Sequence, residues 1–335
     1  LESLVEKLFN ESLIYDACDK FGIGIIEFVK LGDFENYVFE IKTESQSYIL
    51  RLTHSTHRVE EQVLAELEWI NYLQAAGVKT PRAFHSIQNN LTEQLAVEDS
   101  YFTACLFEKA KGHKVNRKDP AIWNNTTFFN WGKLIGKMHA LTKAYDSSLS
   151  KVKRPHWDED DLLEFEQYIP AEGNNLVIKN SHHHLEKISL LPKNRNNYGL
   201  IHTDLHAGNF FVDNEDIIAF DFDDCSYQWF ASDIAIPLYY SVLPIQSTEE
   251  RHAFASDFLK CFLDGYRTEN SLDPQWILLI PDFMKLREMV LYSVLHKKLT
   301  PTELAEPGMQ RWVRELKQNI EQAKTIVNID FSLYS

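Results

Sequence analysis

Apolar side chains along this chain recur with one set of periods up to about residue 109 and with another beyond it. Over residues 2–16 they fall at helical spacing, through Leu4, Val5, Leu8, Leu13 and Ile14. Strict alternation follows in "YVFEIK" and "YILRL", and the polar "TESQS" between them predicts two strands joined by a hairpin, with a break around Gly32 ahead of the pair. From Val59 to Ala76, Val63, Leu67, Ile70 and Leu73 mark one face of a long helix that Gly77 ends. "VKTPRAFHSI" and "YFTACLFEK" read as further strands.

Beyond residue 109 the helical period dominates. "NWGKLIGKMHALTKAY" is helical, and so is "DEDDLLEFEQYI", where Asp158 and Asp161 suit a helix start. Two short apolar runs, Gly199–Ile201 and Phe210–Val212, read as buried strands. Helices are then expected over 231–243, 248–266, 276–298 and 308–327. No repeat is visible. The pattern predicts an α+β chain of two lobes: a small antiparallel-sheet lobe with one main helix over residues 1–108, and a larger, mostly helical lobe over 109–335.

Composition narrows the class. A chain of 335 residues suits two domains, and 44% hydrophobic content supplies a packed core. The formal net charge of -15 argues against nucleic acid or an anionic membrane as the main partner. Cys18, Cys105, Cys225 and Cys261 are scattered without disulfide-like or metal-like spacing, as in a reducing compartment. With no signal-peptide pattern near Leu1 and no apolar run of spanning length, a cytoplasmic location is expected.

Chemistry concentrates in "GLIHTDLHAGNFFV" and in "AFDFDD" shortly after it. A protein kinase catalytic loop reads H-R-D-L-x-x-x-N and is followed by D-F-G. Here His202-Thr203-Asp204-Leu205 leads to Asn209 with the same Asp-to-Asn spacing, and Asp221-Phe222-Asp223 stands in the D-F-G position. The spacing has a physical basis. One carboxylate must face the attacking hydroxyl while an amide oxygen and a second carboxylate hold Mg²⁺ on the phosphates. Asp204 is thus the candidate base, and Asn209 and Asp221 are the candidate metal ligands, hard oxygen donors of the kind Mg²⁺ prefers.

"HTDLHAGNFFV" with "IIAFDFDD" resembles the aminoglycoside phosphotransferase and choline kinase-like family, which has the protein kinase-like fold. That family writes its loop H-G-D-x-H-x-x-N; His206 fits, and Thr203 replaces the usual Gly. The resemblance implies ATP and Mg²⁺ as cofactors and a hydroxyl as acceptor, with His206 and Asp233 bracing the loop. "DFDDC" is more similar to the homoserine kinase-like and stress-response branches than to the antibiotic enzymes.

On the nucleotide side, Gly32 is the one glycine in the expected phosphate loop. Arg51 in "YILRL" stands where protein kinases carry their phosphate-binding Lys, and a guanidinium can pair with phosphate bidentately. Glu66 shares the buried face of Val63, Ile70 and Leu73, so it requires a partner, and Arg51 is the expected one. "CLFEKAKG" lies at the position of a kinase hinge, where the backbones of Glu108 and Ala110 would meet adenine.

The helix opened by Asp233 starts too soon after Asp221 for a peptide-docking segment, and no A-P-E occurs. A small-molecule acceptor is therefore expected. Asp158–Asp161 beside Trp157, Tyr227, Trp229, Tyr239 and Tyr240 suggests an amine-bearing alcohol. A kinase of protein hydroxyls and a nucleotide-binding pseudokinase are the alternatives. His139 is expected to pack within its helix, and "NSHHHLEK" reads as a solvated helix start rather than a zinc site.

Overall fold

The computed structural model describes residues 3–146 and 153–335, and the chain divides into two compact units. The first comprises the described residues of Leu1–His113, Asp146–Arg154 and Phe211–Asp223; the second comprises those of Lys114–Tyr145, Pro155–Phe210 and Asp224–Ser335. No helix among the described residues is long and apolar enough to cross a membrane.

In the first unit the early helical period is split into α1 (Ser3–Leu8) and α2 (Ser12–Lys20). Asn10 makes the break: its side-chain oxygen accepts the Ser12 N–H at 3.0 Å and restarts the helix. Five antiparallel strands follow, β1 (Glu27–Gly32), β2 (Tyr37–Lys42), β3 (Ser47–His54), β4 (Glu93–Val97) and β5 (Ser100–Glu108), in the order β1-β2-β3-β5-β4. The pattern did not reveal β1, because this edge strand is mostly exposed on both faces and has no alternation to read. Gly32 closes β1 beside a bulge, so it borders the loop to β2 rather than lying inside it. Helix α3 (Glu60–Ala75) ends as expected, with Gly77 at φ +82°.

"VKTPRAFHSI" is not a strand. Pro81 lacks the N–H a ladder needs, and the segment makes a single bridge, Ala83 to Phe107. The core of the unit is built from Leu13, Ile14, Phe39, Ile41, Leu50, Leu52, Phe102 and Leu106.

A two-residue strand, β6 (His113–Lys114), follows β5. The hairpin of β8 (Phe210–Asp213) and β9 (Asp216–Ala219) falls largely in the first unit, whereas a division at residue 108 assigns it to the second. The reason is local: the Ala219 N–H donates to the Lys79 carbonyl at 3.0 Å, and the Phe222 ring meets Trp69 edge-on at 5.5 Å.

The second unit is helical apart from β7 (Tyr198–Ile201), which pairs antiparallel with β10 (Ser226–Trp229). Its main helices are α4 (Asn125–Thr142), α6 (Asn175–Ser189), α7 (Phe230–Val242), α8 (Thr248–Tyr266), α10 (Ile280–Lys298) and α12 (Pro307–Glu321). Shorter pieces are α5 (Phe165–Tyr168), α9 (Pro274–Leu278) and α11 (Pro301–Leu304). "DEDDLLEFEQYI" forms two 3₁₀ turns and the single turn α5 rather than one helix. The side chains that cap here are Glu159, which accepts the His156 N–H, and Asp160, which accepts the Leu162 N–H; neither Asp158 nor Asp161 caps. The three consecutive histidines lie within α6, not at its start.

Helices α4 and α8 cross with their backbones in contact. A Cβ added at Gly132 would lie 1.8 Å from the Phe262 carbonyl oxygen, and one at Gly265 would lie 1.9 Å from that of Phe129. Such distances leave no room for any side chain. Gly132→Ala and Gly265→Ala are each expected to cost at least about 1–3 kcal/mol, read as a lower denaturant midpoint at constant slope. Gly24→Ala serves as control, because a Cβ there meets nothing within 4 Å. Unchanged midpoints in both helix variants would mean that α4 and α8 separate at no cost.

Candidate active site

The chain leaves β7 at Ile201 and turns sharply through His202, Thr203 and Asp204 before β8. Thr203 adopts φ +64°, a left-handed conformation that β-branched residues rarely hold. This accounts for the glycine common at the position in similar loops, and for why a threonine here needs external support. Support comes from two directions. Its hydroxyl donates to the Asp224 carbonyl at 2.6 Å, and its N–H donates to Asp233 Oδ1 at 2.8 Å.

Asp233, in the first turn of α7, is almost wholly buried and also accepts the His202 N–H at 3.1 Å. A relay runs behind it. Asn270 Nδ2 donates to the Tyr266 hydroxyl at 2.8 Å, that hydroxyl lies 3.0 Å from His139 Nδ1, and His139 Nε2 lies 3.2 Å from Asp233 Oδ2. Burial lowers the His139 pKa against the pull of Asp233, so the ring is neutral and the carboxylate takes its Nε2–H. His139 thus packs in its helix as expected, and Asp233 braces the loop.

Asp204 follows. Its Oδ2 accepts Asn209 Nδ2 at 2.9 Å, and the same amide nitrogen reaches the Asp204 carbonyl at 2.9 Å. Both bonds are made by the amide nitrogen, and Asn209 Oδ1 accepts no hydrogen bond among the described residues. Asp204 Oδ1 forms an ion pair with Arg287 Nη2 from α10. Arg287 is held in turn by the Tyr240 hydroxyl, which accepts from Nε at 3.1 Å and from Nη2 at 2.6 Å. Burial raises the Asp204 carboxyl to about 7, with Asp224 and Asp233 adding to the rise and Arg287 and Asn209 opposing it. Burial and the Arg287 charge pull His206 down to about 4. The Gly208 N–H donates to His206 Nδ1 at 2.9 Å, so this ring is neutral with its proton on Nε2, 3.6 Å from Asp204 Oδ2. It is scaffold rather than a cation.

The first unit carries a second charged group. Arg51, in mid-sheet on β3, donates from both terminal nitrogens to Glu66 of α3, at 2.8 and 2.7 Å, and both side chains are buried. The pairing expected from the buried face of α3 is present. Asp223 lies beside it: Oδ1 is 4.0 Å from Arg51 Nη1, and Oδ2 is 2.7 Å from His57 Nε2. Burial opposes ionisation there, yet the His57 hydrogen bond and the charges of His57, Arg58 and Arg51 hold Asp223 well below the usual carboxylate range. Asp223 is therefore a buried, partnered carboxylate. Asp221 is exposed at the end of the hairpin, at φ +64°. Glu108 ends β5, and its N–H is given to the Arg82 carbonyl at 2.8 Å.

Each unit by itself holds groups of the kind a metal–nucleotide pair uses. In the second, Asn209 Oδ1 is a hard oxygen. In the first, the Asp221 carboxylate is another, and Arg51 Nε and Asp223 Oδ1 are buried without hydrogen-bond partners among the described residues.

A cavity of about 370 Å³ opens in the second unit, lined by Arg117, Tyr240, Leu243, Arg311, Trp312 and Glu315 among others. The acidic tract does not line it. Glu159 closes a capping box with His156, Asp160 caps the next turn, and Asp161 binds Tyr168 and Lys297. Trp157, Trp229 and Tyr239 are core residues. Arg287 and Trp312 lie in helical segments whose apolar period hides them, so no sequence signal marks either. The three histidines of α6 are engaged separately, His182 with Glu166, His183 with Glu186 and His184 with the Asp282 carbonyl.

Comparison with known proteins places this geometry in a family. The profile of the phosphotransferase enzyme family (APH) matches residues 27–269. Amicoumacin kinase of Bacillus subtilis (strain 168) is 36% identical over 334 residues, covering 98% of this chain and 97% of that protein. The solved structure of the amicoumacin kinase hAmiN with AMP-PNP, Ca2+ and Ami superimposes with a TM-score of 0.93 at 34% identity, covering both chains completely. A microcompartment-associated aminopropanol kinase shares the fold at a TM-score of 0.76 and 17% identity, covering 93% of this chain and 97% of that one. The chain therefore belongs to the phosphotransferase enzyme family, and it is a small-molecule kinase of a family that uses ATP with a divalent metal to phosphorylate hydroxyls.

Proposed function

We propose that this chain transfers the γ-phosphoryl group of Mg-ATP to a hydroxyl of amicoumacin or a molecule of its class. One observation carries the choice of acceptor. The family profile ends at residue 269, ahead of α10 and α12, whereas the likeness to amicoumacin kinase runs through 98% of the chain. It therefore includes the helices that supply Arg287, Arg311, Trp312 and Glu315. A likeness restricted to the catalytic loop would say nothing of the acceptor.

In this reading Asp204 orients the acceptor hydroxyl and takes its proton. A divalent ion on the Asn209 amide oxygen and the Asp221 carboxylate neutralises phosphate charge. Arg51, locked by Glu66, presents a fixed cation to the phosphates, Gly32 borders the loop that covers them, and the backbones of Glu108 and Ala110 receive adenine. Leu243 and Trp312 offer an apolar wall to the body of the acceptor, and Glu315 offers an anion to an amine on it. The Trp312 indole N–H is buried without a partner among the described residues, ready for an oxygen on the same molecule.

ADP release with Mg-ATP and a panel of amicoumacin, choline, ethanolamine, homoserine, aminoglycosides and neutral sugars tests the acceptor. Amicoumacin is expected to be turned over well ahead of the rest; turnover of another panel member alone would overturn the assignment. Asp204→Asn should lower kcat by about 10²–10⁴ with nucleotide affinity kept, and full activity in that variant would remove Asp204 from the reaction. Trp312→Ala should raise KM for the acceptor on the order of tenfold with KM for ATP unchanged. For Arg51 and Glu66, a double-mutant cycle read by ATP affinity should show coupling of about 0.5–3 kcal/mol. Strict additivity would mean that the fork plays no part in nucleotide binding.

A further inference from the structure

Both oxygens of the Asp204 carboxylate are already engaged, Oδ2 by Asn209 and Oδ1 by Arg287. Each oxygen keeps a further acceptor site, so an incoming hydroxyl either shares an oxygen with one of these partners or displaces it. Asn209 is tied to the loop backbone by the same nitrogen that meets the carboxylate. Arg287 is not: it comes from α10, and its other anchor is the Tyr240 hydroxyl, with the guanidinium 5.1 Å from the centre of that ring. Its Nη1 makes no hydrogen bond among the described residues and is available to an oxygen of an incoming molecule.

We propose that Arg287 is a positioning residue that decides between the acceptor and water: it occupies Asp204 Oδ1 until an acceptor carrying an oxygen next to its reactive hydroxyl draws the guanidinium aside. The proposal rests on the kinase reading above. A water molecule cannot make that exchange. It has no second oxygen to hold the guanidinium, and lifting Arg287 from a buried carboxylate without replacement leaves two uncompensated charges. An acceptor with a neighbouring hydroxyl or carbonyl oxygen supplies both halves, a proton donor for Asp204 and an oxygen for Arg287. The acceptor oxygen then bonds to the γ-phosphorus while the bond from that phosphorus to the β,γ-bridging oxygen breaks. The hydroxyl proton passes to Asp204, and ADP leaves. With water in the same place, the identical exchange yields inorganic phosphate. Tyr240 keeps Arg287 within reach so that it returns after each turnover.

The test is ADP release from Mg-ATP alone, set beside turnover with amicoumacin, in wild type and in Arg287→Met, Arg287→Lys and Tyr240→Phe. Acceptor-free hydrolysis should rise on the order of tenfold in Arg287→Met while kcat/KM for the acceptor falls. Arg287→Lys should keep hydrolysis near the wild-type level, since its ammonium can still occupy Oδ1. Tyr240→Phe, which removes only the hydroxyl, should shift hydrolysis the same way by less, and it carries the test if Arg287→Met does not fold. A purely structural Arg287 would lower both reactions in parallel. Hydrolysis that falls or stays level in a folded variant overturns the proposal. Wild-type turnover of amicoumacin would in that case leave the kinase reading intact, and its absence would remove that reading separately.

Discussion

Asp233 accepts the N–H groups of His202 and Thr203 and the Nε2–H of His139, and this one buried carboxylate allows the loop to turn at Thr203 with φ +64°. A left-handed β-branched residue costs about 1–3 kcal/mol and persists only where its surroundings over-determine it. Here each side of the turn is tied: the amides to Asp233, the hydroxyl to the Asp224 carbonyl. The carboxylate is itself affordable in the interior because it has several donors, and removing one partner of such a charge typically costs about 3–5 kcal/mol. Asp204 sits one residue beyond this turn. Its direction follows from a network that reaches back through His139 and Tyr266 to Asn270.

The first unit solves a related problem with opposite charges. Arg51 has no water to solvate it, and Glu66 meets it as a planar fork, which fixes the guanidinium in a way an ammonium on a flexible stem would not be fixed. Asp223 then sits beside a pair that is already neutral. It stays ionised because His57 bonds it and because Arg58 and Arg51 lie near. Among the described residues, Arg51 Nε and Asp223 Oδ1 find no hydrogen-bond partner. A fold of apolar strands tolerates such groups where a ligand completes them, which agrees with the family's use of nucleotide and metal.

What could be read from residues alone divides along physical lines. Elements with one buried face announced themselves: β2, β3, α3 and α8 lie within a residue or two of where the periods put them, and Glu66 on the apolar face of α3 pointed to Arg51. The strand β1 has no readable alternation because Phe28 is its one partly buried apolar side chain, and the stretch containing Pro81 imitates a strand that Pro prevents. In the loop, Asp204 and Asn209 were legible because their chemistry fixes their spacing, and they meet at 2.9 Å. Arg287 was not, since α10 is buried on most sides and a lone arginine within it has no period to break. The Asp223 of "DFDDC" faces His57 and Arg51 within the first unit, so its place there carries no acceptor information.

The acceptor side shows why net charge is a poor guide to a binding site. The chain carries a formal net charge of -15, and its densest acidic run lies at residues 158–161. That run is consumed by local capping and by Lys297, so it contributes nothing to the cavity at Tyr240. The cavity has two arginines, Arg117 and Arg311, against a single carboxylate, Glu315, which already faces Arg251 at 3.4 Å. An acceptor that relied on cationic charge alone would meet like charge there. One with an apolar body, several oxygens and at most one amine would match Leu243, Trp312, the arginines and Glu315 in turn. Arg287, whose Nη1 makes no hydrogen bond among the described residues, would add a donor for an oxygen, so under the proposed reading the cavity and Asp204 would favour the same kind of molecule.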